Sequence, residues 1–239
     1  MDSNKIVSDR LPHDECGAEK ARVLYEDGHW YCFKCDQYGR EKEEYSMSQQ
    51  TTAPIKGVIN TVLSKGDAVA LQSRNISLDT VKKYGVTAKV NKHIYPYYDK
   101  DECHVANKVR QTNPKNFFVE GDLSSSQLFG QNLFPPSSAK YITVCEGEID
   151  AMSVFELSGS RYPCVSIKSG AASALRDCKA NLEYLNSFDN VILCFDNDDA
   201  GRKASALVAE LFEPNKAKVV KLDFKDANEY LKVGKREEF

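Results

Sequence analysis

From Tyr141 onward the chain alternates short β-branched runs with longer helical ones, and this rhythm restricts the fold more than any other feature. "YITVCE" reads as a strand and "IDAMSVFELSG" as a helix. "CVSIKSG" is followed by the helical "AASALRDCKANLEYLNSF", and "NVILCFDNDD" by "AGRKASALVAELF". "AKVVKLD" supplies a fourth strand. Strands joined through helices pair in parallel, with helices on both faces of the sheet. In such sheets the working residues lie beyond the carboxyl ends of the strands. That rule brings Glu146, the loop after Ile167, Asp196 and Asp198, and the segment after Leu222 to one edge.

The region before this alternation is mixed. "NISLDTVKKYGV" predicts a short helix, with Ser77 as N-cap and Gly85 as its stop. "HIYPYYD", "CHVANKVRQ" and "NFFVEG" predict strands joined by polar turns, and "FPPSS" closes the region. The stretch "EKEEYSMSQQTTAPIKG" is charged, then rich in Ser, Gln and Thr, and predicts a flexible linker. The expected organisation is a small module over 1–40, a linker over 41–57, an N-terminal subdomain over 58–138 and the parallel sheet over 139–239.

Composition adds exclusions. The hydrophobic share of 41% and charged share of 28% are ordinary for a soluble globular chain. No apolar run approaches the roughly 20 residues that span a bilayer. "MDSNKIVSDR" lacks the apolar stretch of a secretory signal. A cytoplasmic protein without a membrane partner is expected. The net charge of −3 argues against a generally basic nucleic-acid binder, yet a basic groove can coexist with acidic metal-binding clusters. Cys145, Cys164 and Cys194 lie in strand-like runs and read as buried small hydrophobes, not a disulfide framework.

Clustered carboxylates mark the sheet edge. "CEGEID" carries Glu146, Glu148 and Asp150, with Asp150 one helical turn beyond Glu146. "FDNDDAGR" carries Asp196 and Asp198, which alternate and can face one side of an extended segment. "KDANEY" adds Asp226. Taken singly, each also fits a helix N-cap or a solvated loop. Gathered at one edge, they repel unless a divalent cation sits among them. Oxygen-only ligands suit Mg²⁺ or Mn²⁺ and leave positions for water and phosphate, as in phosphoryl transfer.

The opening stretch "LPHDECGAEKARVLYEDGHWYCFKCDQYGR" pairs His13 with Cys16 and Cys32 with Cys35. Two such pairs on turns, separated by strands, form a tetrahedral zinc site in a ribbon too small for its own core. A redox Cys-x-x-Cys reading leaves His13 and Cys16 unexplained. With four ligands supplied, His29 is surplus. Its neighbours Trp30, Tyr31 and Phe33 are available to stack on bases or to pack the ribbon. Further on, "NKVRQTNPKNFF" sets Lys108 and Arg110 on one face of a strand, with Lys115 after a turn, and "SRNIS" holds Arg74. A solvated charged strand is the plain alternative there.

The combination "EGEID" and "DNDDAGRKA" resembles the Toprim domain of DnaG-type primases and topoisomerases. "VCEGEIDAMSVFEL", "VSIKSGAAS", "CFDNDDAGRKA" and "KDANEY" together resemble the primase half of the T-seven-type phage primase-helicases, over nearly the whole chain. The resemblance implies an α/β fold: an N-terminal zinc ribbon plus an RNA polymerase domain containing a Toprim fold with a parallel sheet. It implies that Glu146, Lys108, Lys115 and Asp196 are catalytic, with Glu146 acting directly or through metal. It implies that Glu146, Asp150, Asp196, Asp198 and Asp226 hold magnesium, and that Arg74, Lys108, Arg110 and Lys115 meet nucleotide or template phosphate. His29 and Trp30 are the implied DNA contacts.

The sequence departs from the family in places. His13 stands where the phage enzymes more often have cysteine, as in the Cys-His-Cys-Cys class of bacterial primases. Asn197 replaces an often apolar residue, and Lys168 is a departure that could add a phosphate contact. The implied function is priming: short RNAs made on single-stranded DNA from ribonucleoside triphosphates. The implied partners are a replicative helicase, fused or in trans, and a DNA polymerase at primer hand-off. A Toprim metal-dependent nuclease and a non-catalytic DNA-binding adaptor are the alternatives. A topoisomerase would need a further tyrosine-bearing domain. No phosphate-binding Gly-x-x-x-x-Gly-Lys-Ser/Thr loop is present. The closing "GKREEF" reads as a helix cut short, which fits a primase fragment or a stand-alone primase.

Overall fold

The first of two units, Met1–Gly57, is built from four short antiparallel strands in the order β1-β2-β3-β4. They are β1 (Ile6–His13), β2 (Ala18–Tyr25), β3 (His29–Cys32) and β4 (Tyr38–Arg40). The computed structural model describes residues 6–13, 16–25, 29–35, 37–40 and 62–239. The linker expected over 41–57 lies outside the described residues. Among the described hydrophobic residues of this unit only Val23 and Cys32 are buried. Two buried apolar side chains contribute little against the entropy of ordering these strands. β1 was not expected. Its sequence lacks sustained alternation, and its pairing with β2 shifts register repeatedly.

The second unit, Val58–Phe239, begins with α1 (Leu78–Lys83). Ser77 caps it, accepting from the Thr80 N–H at 3.3 Å, and Gly85 follows at φ +66°. An antiparallel sheet then runs β5 (Thr87–Lys89), β6 (Lys92–Tyr98), β7 (His104–Thr112), β8 (Lys115–Gly121), in that order. The three-residue β5 was too short to be read from sequence. β8 forms the edge, and nearly all its side chains are exposed.

The alternating region gives β9 (Tyr141–Cys145), β10 (Cys164–Ser166), β11 (Asn190–Cys194) and β12 (Ala217–Val219). All pair in parallel, in the order β10-β9-β11-β12. The intervening helices are α2 (Glu148–Leu157), α3 (Ala174–Ala180), α4 (Leu182–Asn186), α5 (Asp199–Ala209) and α6 (Ala227–Val233). α2 packs against α1 and α6, and α3 against α5. The single helix expected over 171–188 is broken. Asn181 Nδ2 donates to the Asp177 carbonyl at 2.9 Å, which ends α3 in place of a backbone bond. The fourth strand is shorter than expected because it is an edge, paired only to β11, with Lys218 and Val219 exposed.

Ile142, Val144, Val165, Val191 and Leu193 are fully buried in the sheet, each contributing roughly 1.5–3 kcal/mol. Cys145, Cys164 and Cys194 are buried and unbridged, as expected. The core is continuous from Leu71 to Leu231, so the segments before and after residue 139 share it. Tyr84 is the main joint. Its hydroxyl donates to the Cys164 carbonyl at 2.8 Å, and its ring stacks on Phe129 at 5.4 Å.

One close approach positions the site. α5 begins so near the end of β11 that a Cβ on Gly201 would lie 2.1 Å from the Asp196 carbonyl oxygen. Gly201→Ala is therefore expected to cost about 1–3 kcal/mol through displaced backbone, read as a lowered melting temperature.

Candidate active site and metal centre

The carboxyl edge of the parallel sheet opens into a pocket of about 540 Å³. Glu146, Glu148, Asp150, Asp196 and Asp226 line it together with Arg74, Lys108, Arg110, Lys115 and Lys225. The expectation that the ends of the parallel strands converge is met by Glu146, Asp150, Asp196 and Asp226. Glu146 follows β9, and its Oε1 accepts from the Ala171 N–H at 3.1 Å. Its Oε2 is buried without a hydrogen-bond partner. Asp226 caps α6, accepting from the Glu229 N–H at 3.0 Å.

These carboxylates act on one another. Burial, then Glu146, Asp226 and Asp198, raise the Asp196 carboxyl to about 6, with Lys225 opposing. Burial, then Asp226, Asp196 and Glu146, push Asp150 well above the usual carboxylate range, against a bond from the Asn228 N–H. Crowded anions take up protons when nothing else neutralises them. An orphaned buried oxygen beside raised carboxyls is the environment that suits a divalent cation with oxygen ligands.

Asp198 departs from expectation. It is exposed, does not line the pocket, and caps α5 by accepting from the Gly201 N–H at 2.9 Å. The chain bends into the helix immediately after Asp196, so the alternation expected of an extended segment stops there. Asp198 still acts on Asp196 through space.

Glu148 is the residue whose role the sequence did not disclose. It is buried, its Oε1 lies 2.7 Å from Lys108 Nζ, and it accepts from the Tyr97 hydroxyl at 2.6 Å. Lys108 Nζ also donates to the Lys168 carbonyl at 2.9 Å. β6, β7, α2 and the loop after β10 therefore meet at one charge pair. Burial and the neighbouring Glu148 push the Tyr97 phenol well up, so it stays a donor. Lys168 itself does not meet the expectation of a phosphate contact. Its buried Nζ donates to the Ser126 and Leu123 carbonyls at 2.9 and 3.3 Å, which fixes a loop.

Arg74 is held from α6. Its Nη1 donates to Asn228 Oδ1 at 3.2 Å, and Asn228 Nδ2 donates back to the Arg74 carbonyl at 2.8 Å. Asn228 is another residue the sequence reading missed, since an Asn after a capping Asp looks like ordinary helix surface. Arg110 and Lys115 flank Phe117, which is 43% exposed.

In the first unit one ligand atom each from His13, Cys16, Cys32 and Cys35 falls within 4.8 Å of the others. Cys16 Sγ and Cys32 Sγ are 3.7 Å apart, and His13 Nδ1 lies 3.3 and 3.4 Å from Cys16 and Cys35 Sγ. A tetrahedron with bonds of roughly 2.3 Å to sulfur has sulfur–sulfur edges of about 3.8 Å, so the donors fit a metal. The Trp30 ring packs against His13 at 4.9 Å, with Arg22 over it at 5.5 Å. Trp30 thus supports a ligand, and the outward aromatic is Phe33, 66% exposed. His29 lies in β3; its side chain is outside the described residues. Among the described residues no helix is long and apolar enough to cross a membrane.

Comparison with known proteins gives consistent matches. Residues 143–231 match a family described as Toprim-like. The DNA helicase/primase of enterobacteria phage T3 is 38% identical over 95% of this chain; the chain spans 42% of that protein's length. The crystal structure of the primase fragment of the bacteriophage T7 primase-helicase superposes with a TM-score of 0.69 at 34% identity, covering 98% of this chain and 97% of that one. A second T7 structure has primase domains of two gp4 subunits on an RNA/DNA hybrid with dTTP and the lagging-strand DNA polymerase. It matches at 39% identity and a TM-score of 0.66, over 72% of this chain and 89% of that one.

Two outcomes are expected. Glu148→Ala leaves the Lys108 charge buried and unpaired and should cost about 3–5 kcal/mol in denaturant unfolding, more than the Lys108→Met, Glu148→Met double variant. For Asp196 the folded carboxyl binds its proton more tightly than the unfolded one. Its charge therefore costs stability that is absent below pH 3.8, grows as the pH rises and is complete above about 6. Without added divalent cation, Asp196→Asn should be more stable than wild type at pH 7.5, by about 1 kcal/mol after solvent screening. The gap should narrow as the pH falls below about 6 and close below 3.8, and Mg²⁺ should reverse the order at pH 7.5.

Proposed function

This chain belongs to the phage primase-helicase family, of which it spans the primase portion, and from that we propose that it is a DNA primase. It joins ribonucleotides on a single-stranded DNA template and extends them to a short RNA primer. The observation that carries this reading is the gathering of both charges in one pocket. Its lining holds the carboxylates Glu146, Asp150, Asp196 and Asp226 together with Arg74, Lys108, Arg110 and Lys115. A nuclease needs the acidic side; a template-directed polymerase also needs cations to seat triphosphate and template backbone.

Glu146, Asp150, Asp196 and Asp226 hold Mg²⁺ or Mn²⁺, with Asp198 acting on the site through space. A cation bound there supplies charge neutralisation at the triphosphate and acidifies the attacking 3′-hydroxyl. Glu146 presents its free Oε2 inward while the Ala171 N–H fixes the other oxygen. Arg74, locked by Asn228, has its guanidinium set before a phosphate arrives, which lowers the entropy lost on binding. Lys108 and Lys115 face the transferring phosphates, and Arg110 the template or nucleotide backbone.

His13, Cys16, Cys32 and Cys35 hold one structural Zn²⁺; three sulfurs and one nitrogen are a zinc donor set. The ribbon reads the template through His29 and the exposed Phe33, while Trp30 buttresses His13. The linker over 41–57 tethers this reader to the polymerase and raises its effective concentration there. A helicase and a DNA polymerase that accepts the primer are the partners, by analogy with the T3 and T7 proteins.

The test is incubation of single-stranded DNA with labelled ribonucleotides and Mg²⁺. Wild type should yield short RNAs, and Asp196→Ala should lower the yield by at least about a hundredfold while the fold is kept. Template degradation without RNA would assign a nuclease instead. His29→Ala should change template choice on a library of templates.

A further inference from the structure

Three cations converge on one ring. Lys108 Nζ, Arg110 Cζ and Lys115 Nζ lie 5.4, 5.6 and 6.0 Å from the centroid of Phe117. Lys108 has other partners, in Glu148 and the Lys168 carbonyl. The side chains of Arg110 and Lys115 form no hydrogen bond or salt bridge among the described residues, and Arg110 Nε is buried without an acceptor. Like charges gathered this closely repel one another and, unaided, would spread into solvent. The negative face of an aromatic ring is the attraction available to them. Packing does not explain the phenylalanine, since it stands on an edge strand and is 43% exposed.

We infer that Phe117 is a positioning residue whose ring gathers Lys108, Arg110 and Lys115 into one phosphate-binding cluster on the pocket wall. The inference rests on the reading of the pocket as a triphosphate site. Three cations already lie over the ring, so a base stacking on it would compete with them. A phosphate chain meets the cations from the pocket side and leaves the ring where it is. The cluster then faces the acidic edge as a unit.

The full chain can test this with two probes in Mg²⁺, ATP and inorganic tripolyphosphate. Phe117→Leu keeps apolar volume and removes the ring. It should weaken both probes by about tenfold, whereas Phe117→Tyr stays within about twofold. Phenylalanine with one, two and three ring fluorines at position 117 should weaken both stepwise, as fluorine drains the ring face without altering its size. That series also decides the matter should Phe117→Leu fold poorly. Loss of ATP binding with tripolyphosphate unchanged would assign a base-stacking role and overturn the inference. Unchanged binding of both probes would overturn it too. Absence of primer synthesis by wild type would refute the polymerase reading, while the tripolyphosphate comparison would still decide the role of Phe117.

Discussion

The ion pair between Lys108 and Glu148 is the interaction on which the rest of the pocket depends. Neither charge is at ease where it lies. Glu148 is buried in the first turn of α2, and Lys108 is almost enclosed on β7. Each tolerates desolvation because the other is 2.7 Å away and because Tyr97 and the Lys168 carbonyl complete their hydrogen bonding. Four elements must therefore sit in fixed register for either charge to be stable. That register carries the basic strand to the acidic edge, so the two walls of the pocket are set by one contact.

The two walls also explain each other's charge. Burial first, and then the repulsion of neighbouring carboxylates, pushes Asp150 and Asp196 towards their protonated forms. The cationic wall alone is repulsive as well, and Phe117 sits at its centre. Net charge sums over such opposed patches and conceals both. A chain of net charge −3 can still present a strongly positive strip to a phosphate backbone.

The strand–helix rhythm made the sheet, its direction and its working edge legible, because buried parallel strands are written as apolar runs. It placed Glu146, Asp150, Asp196 and Asp226 together before any coordinates. The misses share a physical cause. Asp198 and Asn228 are polar residues at helix starts, where capping, docking and catalysis use the same side chains; only three-dimensional neighbours separate these roles. Glu148 stood in the acidic cluster by sequence, and in the fold it lines the same pocket while pairing with Lys108. Lys168 was open to the same confusion, since a lysine that satisfies loop carbonyls looks like one that waits for a phosphate. Trp30, open by sequence to stacking on bases or to packing the ribbon, has its ring against His13.

Among the described hydrophobic residues of the opening unit only Val23 and Cys32 are buried, so a metal held by His13, Cys16, Cys32 and Cys35 would tie the folding of this unit to ligation. Its folded fraction would then follow free metal concentration and the protonation of its thiols. The second unit has its own continuous core. On the primase reading proposed above, a fall in available zinc would impair template choice while the second unit kept its core, which separates where synthesis starts from whether it can proceed.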